Sequence, residues 1–423
     1  MNRFAHYTPA KKSVEQSELI FNVFDYGAKG DNSTDDTAAF AKAIGAARAA
    51  GGGTVIAPSS LYRFSGHLTI PNGVTLRGSY NVVPSHALVD GVQLDDGTVF
   101  IPLEGRGAAS GPPFITIQSN ALLSGVVIYY EEQERVQLPV AYPWTLFMTG
   151  NNAAVMDVEL LGSFNGINAT LAHRHYIARV QGQPLNIGVF VDSTYDIGRI
   201  EDVHFNPWFS NSQPFVTYQL THGRAFVFGR SDWEYVFNTF AFGYAIGYHF
   251  ISTPTGQMNG NFLGIGADLA TNVSVLVDAS QAPGILITNG EFTAFHDDQW
   301  LPNSTVESSH VVVSPTNTGP VKFVDSSFWG PASQVALLEG KGSTTFSGCQ
   351  FVQWDEQKKD GRSAIQIKAG RLVLQGNEFG QDKAQVEAWE GVEKVVVTGN
   401  LFAAGEKITI RGGDTVKAIG MNA

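Results

Sequence analysis

The sequence predicts an all-β solenoid, and three observations carry that prediction. A phrase recurs through the last third of the chain: ITNGEF ending at Phe292, FVDSSF at Phe328, FSGCQF at Phe351, LQGNEF at Phe379 and VTGNLF at Phe402, at intervals of 36, 23, 28 and 23 residues. Repetition at about that period marks stacked turns that bury one shared core, because a single repeat cannot hide its own apolar face. Each phrase places apolar residues at alternate positions, then a small or amide residue, then Phe, as in a short strand whose inward side chains rest on the next turn. The composition agrees: among 423 residues, 46 Gly serve a chain that turns often and 28 Phe supply buried area. A solenoid grows along one axis, so this length calls for one main domain.

Taken in order, residues 1–20 are a polar N-terminal arm. Residues 21–80 open the fold. Phe21, Val23 and Tyr26 read as a strand, Gly27 and Gly30 as its turn, and Ser33-Thr34-Asp35-Asp36 as the cap of a helix with alanines at 38, 39, 41, 43, 46, 47, 49 and 50. Gly51-Gly52-Gly53 ends the helix, Thr54–Ala57 is the next strand and Pro58 stops it. Residues 81–423 continue the same domain as strands, from about Ile115 in an almost unbroken series. Two segments break the rhythm, Glu131–Pro143 and Asn206–Arg224. Insertions in a solenoid gather on one face, and functional residues favour loops on a rigid scaffold.

The stretch Asp25-Tyr26-Gly27-Ala28-Lys29-Gly30-Asp31, Thr34-Asp35-Asp36-Thr37 and Gly51-Gly52-Gly53-Thr54-Val55 resembles the N-terminal motif of the pectate-lyase-like superfamily. That superfamily includes polygalacturonases, exo-β-1,3-glucanases and bacteriophage tailspikes. The resemblance implies a single-stranded right-handed parallel β-helix with an N-terminal capping helix that keeps the first turn from being an open edge. The motif covers about a tenth of the chain and speaks to fold rather than chemistry.

Composition bounds the partners. With 27 Lys and Arg against 39 Asp and Glu the formal net charge is −12, which repels nucleic acid and anionic membranes and, more weakly, polyuronates. Charged residues make up 16 % of the chain and aromatics 11 %, a balance suited to flat sugar faces. No apolar run reaches the length of a membrane span. The opening Met1–Lys12 lacks an apolar core, so no signal peptide is visible, and residence in the cytoplasm, removal of a leader and another export route all stay open. Cys349, the single cysteine, sits at the small or amide position of a repeat and reads as a packed thiol. No cofactor is expected. No His and carboxylate set has zinc spacing, whereas calcium ligands converging from several turns would leave no linear motif.

Stacked turns present rows of outward side chains about 4.8 Å apart. A groove along such rows suits an extended glycan, and hydrolysis requires two carboxylates about the scissile bond. Residues 142–300 combine aromatics with Asp192, Asp196, Glu201, Asp202, Asp232, Glu234, Asp268, Glu291, Asp297 and Asp298. In an extended Asp232-Trp233-Glu234 the two carboxylates point to one side, roughly 6–7 Å apart, within the spacing of an inverting glycosidase. They are the first candidates for the acid/base pair, against two outward solvated residues beside a turn. Asp202, Glu291, Asp297 and Asp298 are rivals. His296-Asp297-Asp298 looks superficially like the Asp-Asp pair of polygalacturonase-like glycosidases, but the accompanying Asn-Thr-Asp, Gly-His-Gly and Arg-Ile-Lys signatures are absent, and an exposed polar turn is the plainer reading. Trp144, Trp208, Trp233 and Trp300 are the expected sugar platforms. Arg199, His204 and His296 complete the expected binding set, with an Arg199–Asp202 salt bridge as the structural alternative.

These readings converge on a carbohydrate-active enzyme, a glycoside hydrolase acting on a neutral or weakly acidic polysaccharide or oligosaccharide, as a monomer or a homotrimer. A polysaccharide lyase using Arg174, Arg199, Arg224 or Arg230 against a uronate is the second reading. A non-catalytic, tailspike-like glycan-binding protein is the third.

Overall fold

A computed structural model describes residues 19–296, 298–302, 304–412 and 417–423. Most of the 1–20 arm therefore lies outside the described residues. The chain winds as parallel strands into one sheet of 24 strands and one of 13. The larger sheet is creased lengthwise. Its strands before the crease form sheet 1 and those after it form sheet 2, and the 13-stranded sheet, here sheet 3, completes the cross-section.

The crease explains the repeated phrase. In every rung from Gly125 to Gly399 one residue at this corner is left-handed: Gly125, Asp157, Arg179, Asp202, Asn238, Gly264, Asn289, Asp325, Gly348, Gly376 and Gly399. Gly takes this conformation without steric cost, and Asp and Asn tolerate it best among the rest. Arg179, outside that set, is held by a two-pronged ion pair with Asp157 on the preceding rung, at 2.6 and 2.9 Å. The residue after the corner turns inward; in the last five of these rungs it is small or an amide, Gly290, Ser326, Cys349, Asn377 and Asn400, and bonds to the next rung. Gly290 N–H donates to Ser326 Oγ, Cys349 N–H to Asn377 Oδ1, Asn377 N–H to Asn400 Oδ1 and Asn400 N–H to Asn422 Oδ1, at 2.9–3.0 Å. Two residues further on come the inward phenylalanines of sheet 2, Phe292, Phe328, Phe351, Phe379 and Phe402, with successive ring centroids 4.8–5.4 Å apart. Aromatic pairs at this distance add about 0.5–1.5 kcal/mol each to the gain from burial.

Cys349 is buried in this ladder, and burial pushes its thiol up to about 11. A thiol reagent at pH 8 is expected to leave the folded protein unmodified and to label one site per chain after denaturation. Rapid labelling of the native protein would contradict this packing.

The capping helix α1, Thr37–Ala49, buries Ala39, Phe40, Ala43, Ile44 and Ala47 over the first turn. Three details differ from expectation. The predicted strand through Phe21 and Val23 stops at Asn22 and becomes a 3₁₀ turn over Val23–Tyr26, closed by Gly27 at φ 100°. Asp36, at the N-cap position, turns its carboxylate away to accept Lys29 N–H and Gly30 N–H, while the adjacent Asp35 caps Thr37 N–H at 3.0 Å. The second segment predicted as a loop contains a helix, α2, Gln213–His222, begun by Pro214 in its first turn.

The long connections 130–143, 206–223, 294–308 and 352–364 all lie between sheet 2 and sheet 3, so the insertions do gather along one edge. They wall one side of the outer face of sheet 2.

Candidate functional site

Outward residues of sheet 2 form two rows that can be read from the register. The first runs Gln181, His204, Phe240, Gly266, Glu291, Ser327 and Gln350. The second, two residues further along each strand, includes Phe242, Asp268, Thr293 and Trp329. Gly266 leaves a gap in the first row; a methyl group placed there would lie 3.0 Å from the Phe240 ring. The gap is a notch of about 260 Å³ lined by Phe240, Asp268, Glu291 and Trp329, with Asn238 and Asn289 at the crease.

The notch carries two carboxylates on adjacent rungs. Glu291 stands beside Gly266, and Asp268 is two residues beyond that glycine. One rung sideways and two residues along separate their Cα atoms by roughly 8 Å. Each carboxylate has one oxygen held by the protein. Glu291 Oε1 accepts the indole N–H of Trp329 at 3.0 Å. Thr293 Oγ accepts Leu269 N–H at 2.9 Å and therefore gives its own proton to Asp268 Oδ1. Among the described residues the second oxygen of each accepts no hydrogen bond, which leaves it for chemistry.

Trp329 is itself fixed from below. His310 is fully buried, and its Nε2 lies 2.8 Å from the Trp329 carbonyl, so Nε2 carries the proton, while Nδ1 has no hydrogen-bond partner among the described residues. Burial lowers the His310 pKa to about 4. A base whose folded pKa falls below its unfolded value of about 6.5 stabilises the fold above that value and loses the contribution as pH drops towards 4, about 3 kcal/mol in all. Denaturation midpoints are expected to fall between pH 6.5 and 4, and His310→Gln to flatten that slope; an unchanged slope in the variant would refute the assignment.

Sequence-predicted residues distribute over three faces. His204 and Glu291 lie in the trough of sheet 2, with Trp208 against His204 at 4.8 Å between ring centroids. Asp202 is at the crease beside the trough, where it accepts the Asn238 amide at 2.5 Å rather than pairing with Arg199. His296 and Trp300 belong to the wall. Trp300 packs, partly buried, with Val216, Leu220 and Leu301, and its carbonyl accepts Gln213 and Thr217 of α2, so it anchors the wall loop beside the trough rather than standing in the trough's outward rows. His296 lies 3.2 Å from the Asp298 carboxylate in a separate hollow of about 300 Å³, where Asp298 is almost wholly exposed. Asp297 lies outside the described residues.

Asp232 and Glu234 do not form a pair across a groove. Trp233 between them is left-handed, at φ 61°, so the segment is not extended. Glu234 is fully buried, 2.9 Å from His175 Nε2 and 2.5 Å from the donating Ser231 hydroxyl. Asp232 is held by Arg230 at 2.8 Å and by the Gln281 amide at 2.6 Å. Trp144 stands on sheet 3, 6.0 Å from Phe190. Arg199 is on sheet 1, in line with Tyr176 and Tyr235, and so cannot share a sugar with His204. Trp233 lies on the sheet 1 side as well, with Tyr235, Asn261 and Lys322 around a hollow of about 330 Å³.

Phe240 and Trp329 were missed. Both fall at outward parity in their repeats, Trp329 immediately after the inward Phe328, and counting by twos from the phenylalanine ladder would have found them.

Residues 20–120 match the family model described as rhamnogalacturonase A/epimerase, pectate lyase-like. A mannuronan C5-epimerase of Azotobacter vinelandii, AlgE3, is 50 % identical over 68 residues, which are 14 % of this chain and 4 % of that protein. Alginate lyase 7 of the same organism is 63 % identical over 48 residues, 11 % of this chain and 6 % of that protein. The chain thus spans only a small part of these relatives. Among solved structures, DFA-IIIase from Arthrobacter chlorophenolicus A6 in complex with GF2 superposes with a TM-score of 0.58 at 12 % identity, covering 96 % of this chain and 99 % of that one. The A-module of the A. vinelandii mannuronan C-5 epimerase AlgE6 gives a TM-score of 0.50 at 16 % identity, covering 95 % and 99 %. The chain has the right-handed parallel β-helix fold of the pectate-lyase-like class.

Proposed function

We propose that the protein cleaves glycosidic bonds in the trough of sheet 2, with Asp268 and Glu291 as the acid/base pair. The observation that carries this reading is their placement on adjacent rungs at the floor of a sugar-sized notch between Phe240 and Trp329. In hydrolysis one carboxyl group protonates the departing glycosidic oxygen as the other takes a proton from the attacking water. Carboxyl groups about 6.5–9.5 Å apart leave room for that water and invert the anomeric carbon, whereas a pair about 5–5.5 Å apart retains it, so the configuration of the first product reports how far apart the two carboxylates act. The aromatic walls offer flat apolar faces to the sugar, and Asn238 and Asn289 at the crease offer amides to its hydroxyls. The relatives named above as acting on mannuronan or alginate support a carbohydrate substrate.

The test is a product screen on neutral and uronic polysaccharides with wild type, Asp268→Asn and Glu291→Gln, reading the anomeric form of the first product by NMR. Loss of activity in both variants with an inverted product supports the reading. Full activity in either removes that residue from the mechanism.

A second reading is favoured by the outer face of sheet 1. Arg77, Arg199 and Lys322 stand there with Tyr176 and Tyr235, cations and aromatics suited to a uronate chain, as a lyase or epimerase requires. Arg199→Ala and Lys322→Ala abolish activity under this reading and spare it under the first.

A further inference from the structure

We infer that the trough on sheet 2 is blind at one end, stopped by Phe240, His204 and Trp208, so that it takes the terminus of a glycan chain and releases one sugar at a time. This rests on the cleavage reading of the same trough.

Burial along the outward rows changes abruptly. In the earlier rungs the outward Val127, Glu159, Leu161 and Gln183 are fully buried, although nothing in the solenoid itself requires it. Three segments cover them. His86, in 79–97, donates its backbone N–H to Glu159 Oε1 at 2.6 Å and sets its ring Nδ1 2.6 Å from Oε2. Ser210, in 206–212, exchanges two hydrogen bonds with Gln183, at 2.8 and 3.0 Å. Arg135, in 130–143, accepts the hydroxyls of Ser210 and Ser212 through its carbonyl and donates its guanidinium to the Leu88 carbonyl at 3.0 Å. Val89 N–H donates to the Trp208 carbonyl at 3.2 Å, so the three segments form one joined cover.

The cover ends in rings. Trp208 meets His204 edge to face, and His204 meets Phe240 at 5.1 Å and 86°. These side chains fill the outward positions of two rungs. Beyond them Gly266 opens the notch, and Glu291, Gln350, Glu378 and Leu401 are exposed along the remaining rungs. A chain lying in the trough can extend over Gln350 and Glu378 but not past Phe240. The carboxylates stand one and two rungs beyond Phe240, about 5 and 10 Å away. That span holds one sugar ring between the stop and the bond to be cut.

The experiment uses reducing-end-labelled hexasaccharides of β-1,3-glucan, homogalacturonan and mannuronan, with products resolved at early times. Wild type is expected to shorten its substrate by single sugars, with one-sugar cuts at least tenfold more frequent than internal ones, and a Trp208→Ala/Phe240→Ala double variant to shift initial cuts to two or three sugars from the end. Internal cuts from the start by wild type overturn the blind end and leave the cleavage reading standing. No cut in any of the three substrates overturns the cleavage reading and this inference with it. The wild-type pattern decides even where the double variant fails to fold.

Discussion

Asp268→Asn and Glu291→Gln are each expected to lower turnover by about 10²–10⁴-fold, the usual contribution of a positioned general acid or base. Stability should hardly move. An asparagine at 268 still accepts the Thr293 hydroxyl, and a glutamine at 291 still accepts the Trp329 indole, so the local hydrogen bonds survive while the proton chemistry is lost. Initial rates on the preferred substrate, alongside denaturation midpoints, separate the two effects. Loss of rate accompanied by a fall of several kcal/mol in unfolding free energy would point to a structural role. Trp329→Phe is a milder companion: it removes the donor that orients Glu291 and keeps a smaller aromatic wall, and should cost less than either carboxylate change.

The second large effect concerns stability. Glu234→Ala is expected to destabilise the protein by about 3–5 kcal/mol, the range for breaking a buried ion pair by removing one partner. His175 is fully enclosed, and burial disfavours its charge, yet the charge of Glu234 and their hydrogen bond outweigh burial and raise its pKa. Without Glu234 the imidazole and the Ser231 hydroxyl would lose their partner inside the corner. Gly198→Ala offers an independent check, because a methyl there would lie 2.1 Å from a Glu234 oxygen and 2.3 Å from the His175 ring. Denaturant titrations of both variants measure the cost, and a change below 1 kcal/mol in both would show that the corner does not depend on this pair.

These two sites mark where the sequence could be read and where it could not. Fold was legible because the solenoid imposes a period: Phe292, Phe328, Phe351, Phe379 and Phe402 fall in one column, and the small or amide residue before each bonds to the next rung. Glu291 was legible for the same reason, as the outward neighbour of a ladder phenylalanine. Its partner Asp268 sits in a rung, GIGAD, with no phenylalanine to fix the parity, and stayed one carboxylate among many. Asp232-Trp233-Glu234 misled because alternation holds only while the backbone is extended. Nothing in those residue types signals that the bulky Trp233 takes the left-handed conformation, which the stacked turns impose through the Thr194–Ser231 bridge and the contact of Trp233 N–H with Asn259. The blind end was hidden for a different reason. It depends on bonds between segments far apart in the chain, His86 to Glu159 and Ser210 to Gln183, that no local pattern records.

The most direct test is a crystal structure of Glu291→Gln with a bound hexasaccharide from the screen. The glycan is expected along sheet 2, its end against Phe240, one glycosidic oxygen between Asp268 and the substituted residue 291, and its remainder over Gln350. A glycan lying instead on sheet 1, across Tyr235 and Trp233 with its carboxylates near Arg199 or Lys322, would contradict cleavage in the sheet 2 trough.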